Sequence, residues 1–163
     1  MATPARVTRR NPGAAWWQTV DIDQGSDNGL KTNAPVVADG GLVGRIDRLG
    51  EEQSTIILLT DEACQVSVQV EGTPEVGIIS GQRGQYDTGV PKLLLRFLSR
   101  DARLKPGARV FTTGRGGVFP ANLLVGTVES LQAGALNTEA LVRPAVDFTD
   151  LSTVFVLPPL QTQ

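Results

Sequence analysis

Short β-branched and aliphatic runs, each broken within a few residues by glycine, proline, aspartate or asparagine, repeat from Trp16 to Leu157. Glycine and proline interrupt helices, whereas strands of about five residues fit between such breaks. Gln65–Glu71 is the sharpest instance, because Val66, Val68 and Val70 alternate with polar residues and share one face. Ser54–Thr60 instead carries Ile56, Ile57, Leu58 and Leu59 in succession, the pattern of a strand buried on both faces. Trp17–Asp23 alternates around Val20 and Ile22, and Gln24–Gly29 is dense enough in turn formers to reverse the chain. Asp39-Gly40-Gly41, set between Ala34–Ala38 and Leu42–Ile46, has the form of a β-hairpin.

Further strands are expected at Val76–Ser80, Lys92–Leu98, Arg109–Thr113, Leu123–Ser130, Glu139–Val146 and Thr153–Leu157. Nowhere do apolar residues recur at helical spacing over three turns, so neither a doubly wound α/β fold nor a helical bundle is supported. The chain reads as all-β. A weak internal repeat refines this: Leu30-Lys31, Val36-Val37 and Leu42-Val43-Gly44 recur as Leu104-Lys105, Val110-Phe111 and Leu124-Val125-Gly126. Two small packed β-barrels follow, with residues 1–13 as a tail, 14–82 as the first barrel domain, 83–158 as the second and 159–163 as a second tail. Exchange of strands between the barrels is compatible with this division, and one sandwich is the alternative. Paired small barrels are also the trypsin-like architecture, here without its catalytic site.

Several chemistries are excluded by what is missing. The sequence has no histidine, which removes the usual general base of serine, cysteine and threonine nucleophiles. A Ser-Lys dyad has only Lys31, Lys92 and Lys105 to draw on, all beside turns or strand ends. Cys64 is the single cysteine, so no disulfide within the chain can form, and beside an apolar strand it reads as a packed structural thiol. No metal, cofactor or catalytic residue set is expected. Asp21 and Asp23 share a face, as a glycosidase pair would, but alternate with Val20 and Ile22 and read as the wet side of a strand. Gly114-Arg115-Gly116-Gly117 lacks the Gly-Lys-Ser/Thr ending of a phosphate loop and reads as a turn.

A formal net charge of −2 gives no field that would gather nucleic acid. Arg6, Arg9 and Arg10, without interleaved aromatic residues, read as a solvated tail. No stretch approaches the ~18 consecutive apolar residues of a membrane span, and the N-terminus lacks a signal-peptide core, so the chain as it stands reads as soluble. Binding features are Trp16 and Trp17, which in a strand face opposite sides, and the apolar tip Val118-Phe119-Pro120, read as a partner contact or, with preference, as a barrel plug.

The order of these motifs resembles the bacterial rod shape-determining MreC family, in its periplasmic β-barrel region. Trp16-Trp17, Val20–Lys31 with Gly25 and Gly29, Pro35-Val36-Val37, Gly41–Ile46 with Gly44, and Leu58-Leu59-Thr60-Asp61 come first. Gly114–Pro120 with Gly117, Leu124–Val128 with Gly126, and Pro144–Phe148 follow, so that the resemblance covers about residues 14–157. It implies two β-barrels on the periplasmic side of the cytoplasmic membrane and a non-catalytic scaffold of the cell-wall elongation machinery. It further implies that Trp16, Trp17, Gly25, Gly29, Gly44, Thr60, Asp61, Gly114, Gly117, Val118, Phe119, Pro120 and Gly126 are structural or interaction positions. The implied partners are a class B penicillin-binding transpeptidase, MreD and, indirectly, MreB, with homo-oligomers in the full-length protein and neither nucleic acid nor a small-molecule substrate. The family's N-terminal membrane helix and coiled coil have no counterpart in this sequence, which is therefore expected to be a fragment, and Ala121-Asn122-Leu123 replaces the usual Pro-Gly-Leu. Contact through exposed strand edges and loop tips is the expected binding mode. The rival reading is an unconventional periplasmic hydrolase on a double-barrel fold. A small-molecule carrier is disfavoured, because side chains should fill such short barrels.

Overall fold

Alternation and punctuation translate into twelve strands among the described residues, which are 2–10, 18–81, 92–99, 101–133, 138–148 and 150–159 of the computed structural model. The strands are β1 (Thr3–Arg10), β2 (Thr19–Ile22), β3 (Pro35–Ala38), β4 (Gly41–Leu49), β5 (Ser54–Leu58) and β6 (Val66–Val70). They continue as β7 (Val76–Gly81), β8 (Leu93–Leu98), β9 (Arg109–Thr112), β10 (Leu124–Ala133), β11 (Thr138–Pro144) and β12 (Thr153–Val156). One 3-10 turn, Ser26–Asn28, interrupts them. All pairings are antiparallel and close two six-stranded barrels, in the orders β1-β12-β3-β4-β5-β2 and β10-β11-β8-β7-β6-β9.

This arrangement corrects the expected division of the chain. Residues 3–10, read as tail, form β1, in which only Ala5 is buried and all three arginines are exposed. A strand that places one small residue in the core carries almost no apolar signal. Arg9 and Arg10 lie in register with Asp21 and Val20, and the Arg10 guanidinium donates to the Phe148 carbonyl, so these arginines are not a solvated tail. The boundary is not near residue 82 either. β6 and β7 belong to the second barrel, and the chain crosses from the first barrel between β5 and β6, while β12 returns to close the first.

The internal repeat is a register match. Val36 faces Gly44 as Val110 faces Gly126, and Val37 faces Leu42 as Phe111 faces Leu124, leaving Val43 and Val125 as the extra residues of equivalent bulges. On the other side, Ile46 faces Ile56 as Val128 faces Val142, again followed by a bulge in each barrel. β12, between β1 and β3, therefore occupies the place that β6 occupies between β7 and β9.

Each barrel interior is filled by aliphatic side chains, with Ile22, Leu42, Ile46 and Ile56 in one and Ile79, Leu93, Leu95 and Leu98 in the other, and the buried residues form one continuous cluster. At the seam the β3–β4 turn lies against the second barrel, so closely that a Cβ on Gly41 would stand 2.5 Å from the Leu124 carbonyl oxygen. Ser54 is an exception to the apolar lining. It lies opposite Ile22, and its buried Oγ has no hydrogen-bond partner among the described residues. The matching position in the second barrel is Ala140, which faces Leu95 as Ser54 faces Ile22. Ser54→Ala is expected to stabilise the chain by about 1 kcal/mol, the cost of an unsatisfied buried hydroxyl. A denaturation midpoint lower than that of the parent would refute this.

Candidate interaction site

The residues singled out for chemistry are dispersed and engaged in local structure. Asp21 Oδ1 accepts from Thr55 Oγ1 at 2.8 Å, and Asp23 Oδ1 accepts from the Arg6 N–H at 2.8 Å, so each carboxylate ties its strand to a different neighbour. Lys92 Nζ donates to both Glu129 oxygens at 2.6 and 2.7 Å, which holds it in an ion pair rather than beside a nucleophile. That bond, with desolvation opposing it only in part, keeps the Glu129 carboxyl below its usual range. Among the described residues no three His, Cys, Asp or Glu side chains are placed to hold a metal ion.

Cys64 is fully buried, and burial pushes its thiol up to about 12, with the nearby Arg45 charge offsetting only part of the effect. The native thiol should resist iodoacetamide at pH 8 and react at the ordinary cysteine rate once the chain is unfolded in urea. Rapid modification of the native chain, followed by mass spectrometry, would contradict the burial.

Thr60 and Asp61 form the link out of the first barrel. Asp61 is buried and spends both carboxylate oxygens on backbone donors, accepting from Gln18 N–H at 2.9 Å and Ala63 N–H at 2.8 Å. Its carbonyl accepts from Cys64 and Gly81, and a Cβ on Gly81 would overlap the Thr60 carbonyl oxygen at 1.8 Å. This carboxylate is thus a brace at the crossing point between barrels. The buried Thr60 Oγ1 has no hydrogen-bond partner among the described residues.

The loop Gly114–Pro120 turns inward. Gly114 and Gly117 have φ of 85° and 74°, a region open to glycine, and they bring Phe119 into the core, where it is 5% exposed. Thr112 Oγ1 donates to the Pro120 carbonyl at 2.6 Å and accepts from Leu123 N–H at 2.9 Å, fixing the loop base. Phe119 is thus a core residue, with half-buried Val118 packed against the same core. Gly25 passes so close to Gly50 that a Cβ would lie 2.2 Å from its carbonyl oxygen, and Gly29, at φ 85°, ends the 3-10 turn. Trp16 and Trp17 lie outside the described residues.

Exposed large apolar side chains are found elsewhere: Phe97 is 62% exposed, Leu131 40% and Phe155 38%. Phe155 stands on β12 opposite Pro4 of β1 and Val37 of β3. Phe97 has a φ of 69°, unusual for an aromatic residue, in a bulge where β11 steps from Ala140 to Thr138 while β8 steps from Leu95 to Leu98.

With two filled barrels and, among the described residues, no metal-binding cluster, comparison with known proteins identifies the lineage. The model of "Rod shape-determining protein MreC, barrel core" matches residues 7–158. The chain belongs to the MreC family. It is 37% identical over 158 residues to the cell shape-determining protein MreC of Listeria monocytogenes, covering 94% of this chain and 52% of that protein. Against the Cereibacter sphaeroides MreC it is 34% identical over 93% of this chain and 47% of that one. The chain thus spans about half the length of the MreC relatives it matches. A solved Listeria MreC structure, 34% identical, aligns with a TM-score of 0.85 over 100% of this chain and 79% of that one. Its relatives are named for cell shape and not for a reaction. No helix among the described residues is long and apolar enough to cross a membrane. Of the family-motif positions within the described residues, Gly25, Gly44 and Gly126 leave no room for a Cβ, Phe119 is buried, and Asp61 accepts two backbone hydrogen bonds.

Proposed function

We propose that this chain is the barrel portion of a non-catalytic scaffold that maintains rod shape by gathering peptidoglycan synthases, at the periplasmic side of the cytoplasmic membrane. Its partners in this reading are a class B penicillin-binding transpeptidase and MreD, with MreB engaged indirectly, and copies of the scaffold associate with one another. Family membership is the observation that carries the reading. Two structures lend support. A chain described as a complex between a penicillin-binding protein (PBP2) and MreC from Helicobacter pylori shares the fold at a TM-score of 0.72 and 20% identity. Another, 27% identical with a TM-score of 0.79, is described as part of the cell shape-determining filament MreC.

The expected pairing through exposed strand edges is narrowed by the structure, because closed barrels leave few edges to extend. Barrel faces and loop tips supply most of the contact surface in this reading. Sedimentation velocity of the chain mixed with the periplasmic domain of the transpeptidase tests it, with co-sedimentation expected at micromolar concentrations. Independent sedimentation across the whole range would remove the transpeptidase as a direct partner of the barrels.

A further inference from the structure

The β10–β11 hairpin runs past the barrel it belongs to. β11 stays paired with β10 out to Ala133 opposite Thr138, but β9 pairs only with Leu124, Gly126 and Thr127. The last contact on the β9 side is the exchange of Val128 with Gly107 and Ala108, both bonds at 2.8 Å. From Glu129 to Ala133 that edge of β10 has no strand beside it among the described residues. The matching hairpin of the first barrel is covered, since the Ser26 and Asp27 N–H groups donate to the Gly50 and Glu51 carbonyls at 2.8 and 2.9 Å.

Open edges are normally protected by lysine, proline or a covering segment. Ser130-Leu131-Gln132-Ala133 has neither charge nor proline. Leu131 faces Ala140, which faces Leu95, and both of these are fully buried. Leu131 is therefore on the inner side of the barrel wall, and it is exposed because β9 stops short of it.

We propose that this edge is a self-association site, at which a second copy of the chain adds its own β10 antiparallel about Leu131; the proposal rests on the self-assembly reading above and names its surface. Symmetry favours this occupant. About a two-fold axis at Leu131, Ser130 faces Gln132 of the other copy and Glu129 faces Ala133, so no like charges meet. The two Leu131 side chains then lie on the same side of the joined sheet, each covering the rim that the other leaves open. Five residues of edge fall well below the ~1,200 Å² of a standard stable interface, so the contact is weak between single molecules and gains strength through repetition in an array.

Sedimentation of the whole chain, combined with cysteine cross-linking, tests the site, and the buried Cys64 leaves an introduced cysteine as the reactive thiol. Leu131→Cys should form disulfide-linked dimers at least about tenfold faster than Arg48→Cys on the first barrel, because directly opposed strand positions bring Cα atoms within the span of a disulfide. Leu131→Lys should weaken dimerisation at least about tenfold by opposing two ammonium groups. Equal cross-linking at both positions, or self-association untouched by Leu131→Lys, overturns the site while leaving self-assembly standing. A chain that stays monomeric up to millimolar concentration overturns both.

Discussion

Gly44→Val is expected to prevent the first barrel from closing, at a cost of more than about 4 kcal/mol, which is a large part of the total stability of a typical domain. A Cβ on Gly44 would stand 2.0 Å from the Ile57 carbonyl oxygen and 3.0 Å from its carbon. Both are backbone atoms of the neighbouring strand, so rotating a side chain cannot relieve the overlap. β4 and β5 would have to part along a ladder that runs from Gly44 opposite Leu58 to Leu49 opposite Ser54. Gly126 repeats the situation at 2.1 Å from the Arg143 carbonyl oxygen, and Gly126→Val should open the second barrel in the same way. Gly72 provides the contrast: its φ is 76°, but nothing lies within 4 Å of an added Cβ. Gly72→Asn should cost only about 1 kcal/mol, since asparagine tolerates left-handed backbone. Urea denaturation of the three variants reads the difference directly. A Gly44→Val midpoint shift no larger than that of Gly72→Asn would mean that the strands accommodate a side chain there.

The same glycine shows how much of the fold is written locally. Leu42-Val43-Gly44 and Leu124-Val125-Gly126 are recognisable as a repeat because each reproduces the same bulge and the same close approach, a constraint on residue type at fixed positions. The alternating run Val66–Val70 is equally legible. Strand ownership is not, because β6 and β12 look alike to a local pattern and only long-range pairing assigns one to each barrel. β1 is hidden for a different reason: its inward residues are small, and burial there comes from its neighbours. Phe97 illustrates a third limit. Simple alternation would place it inward with Leu93 and Leu95, but a bulge in β8 where it pairs with β11 shifts the period by one residue, so that Leu98 is buried and Phe97 emerges. The exposed apolar surface was invisible in the sequence because it depends on where bulges fall and on where β9 ends.

Removing residues 152–163 is expected to unfold the first barrel, whereas moving β12 to the front of the chain should preserve it. β12 supplies Val154 and Val156, buried to 0% and 2%, and lies between β1 and β3. Losing two buried valines costs about 1.5–3 kcal/mol each, before the freed backbone groups of both neighbouring strands are counted. The second barrel shows how the permuted chain would connect. There β6 runs directly into β7, with Gln69 opposite Val76 and Glu71–Glu75 between the two strands. β12 and β1 stand in the same antiparallel relation, with Val156 opposite Thr3, so a connector of similar length joins them without altering any pairing. The permuted chain would begin at β12, pass through both barrels and end after β11. Hydrogen exchange is the informative measurement, because β1 and β3 amides bonded to β12 should lose protection in the truncated chain and regain it in the permuted one. Retained protection after truncation would mean that β1 and β3 find another partner. A permuted chain that fails to fold would mean that closure depends on the order in which strands are delivered, not on their register alone.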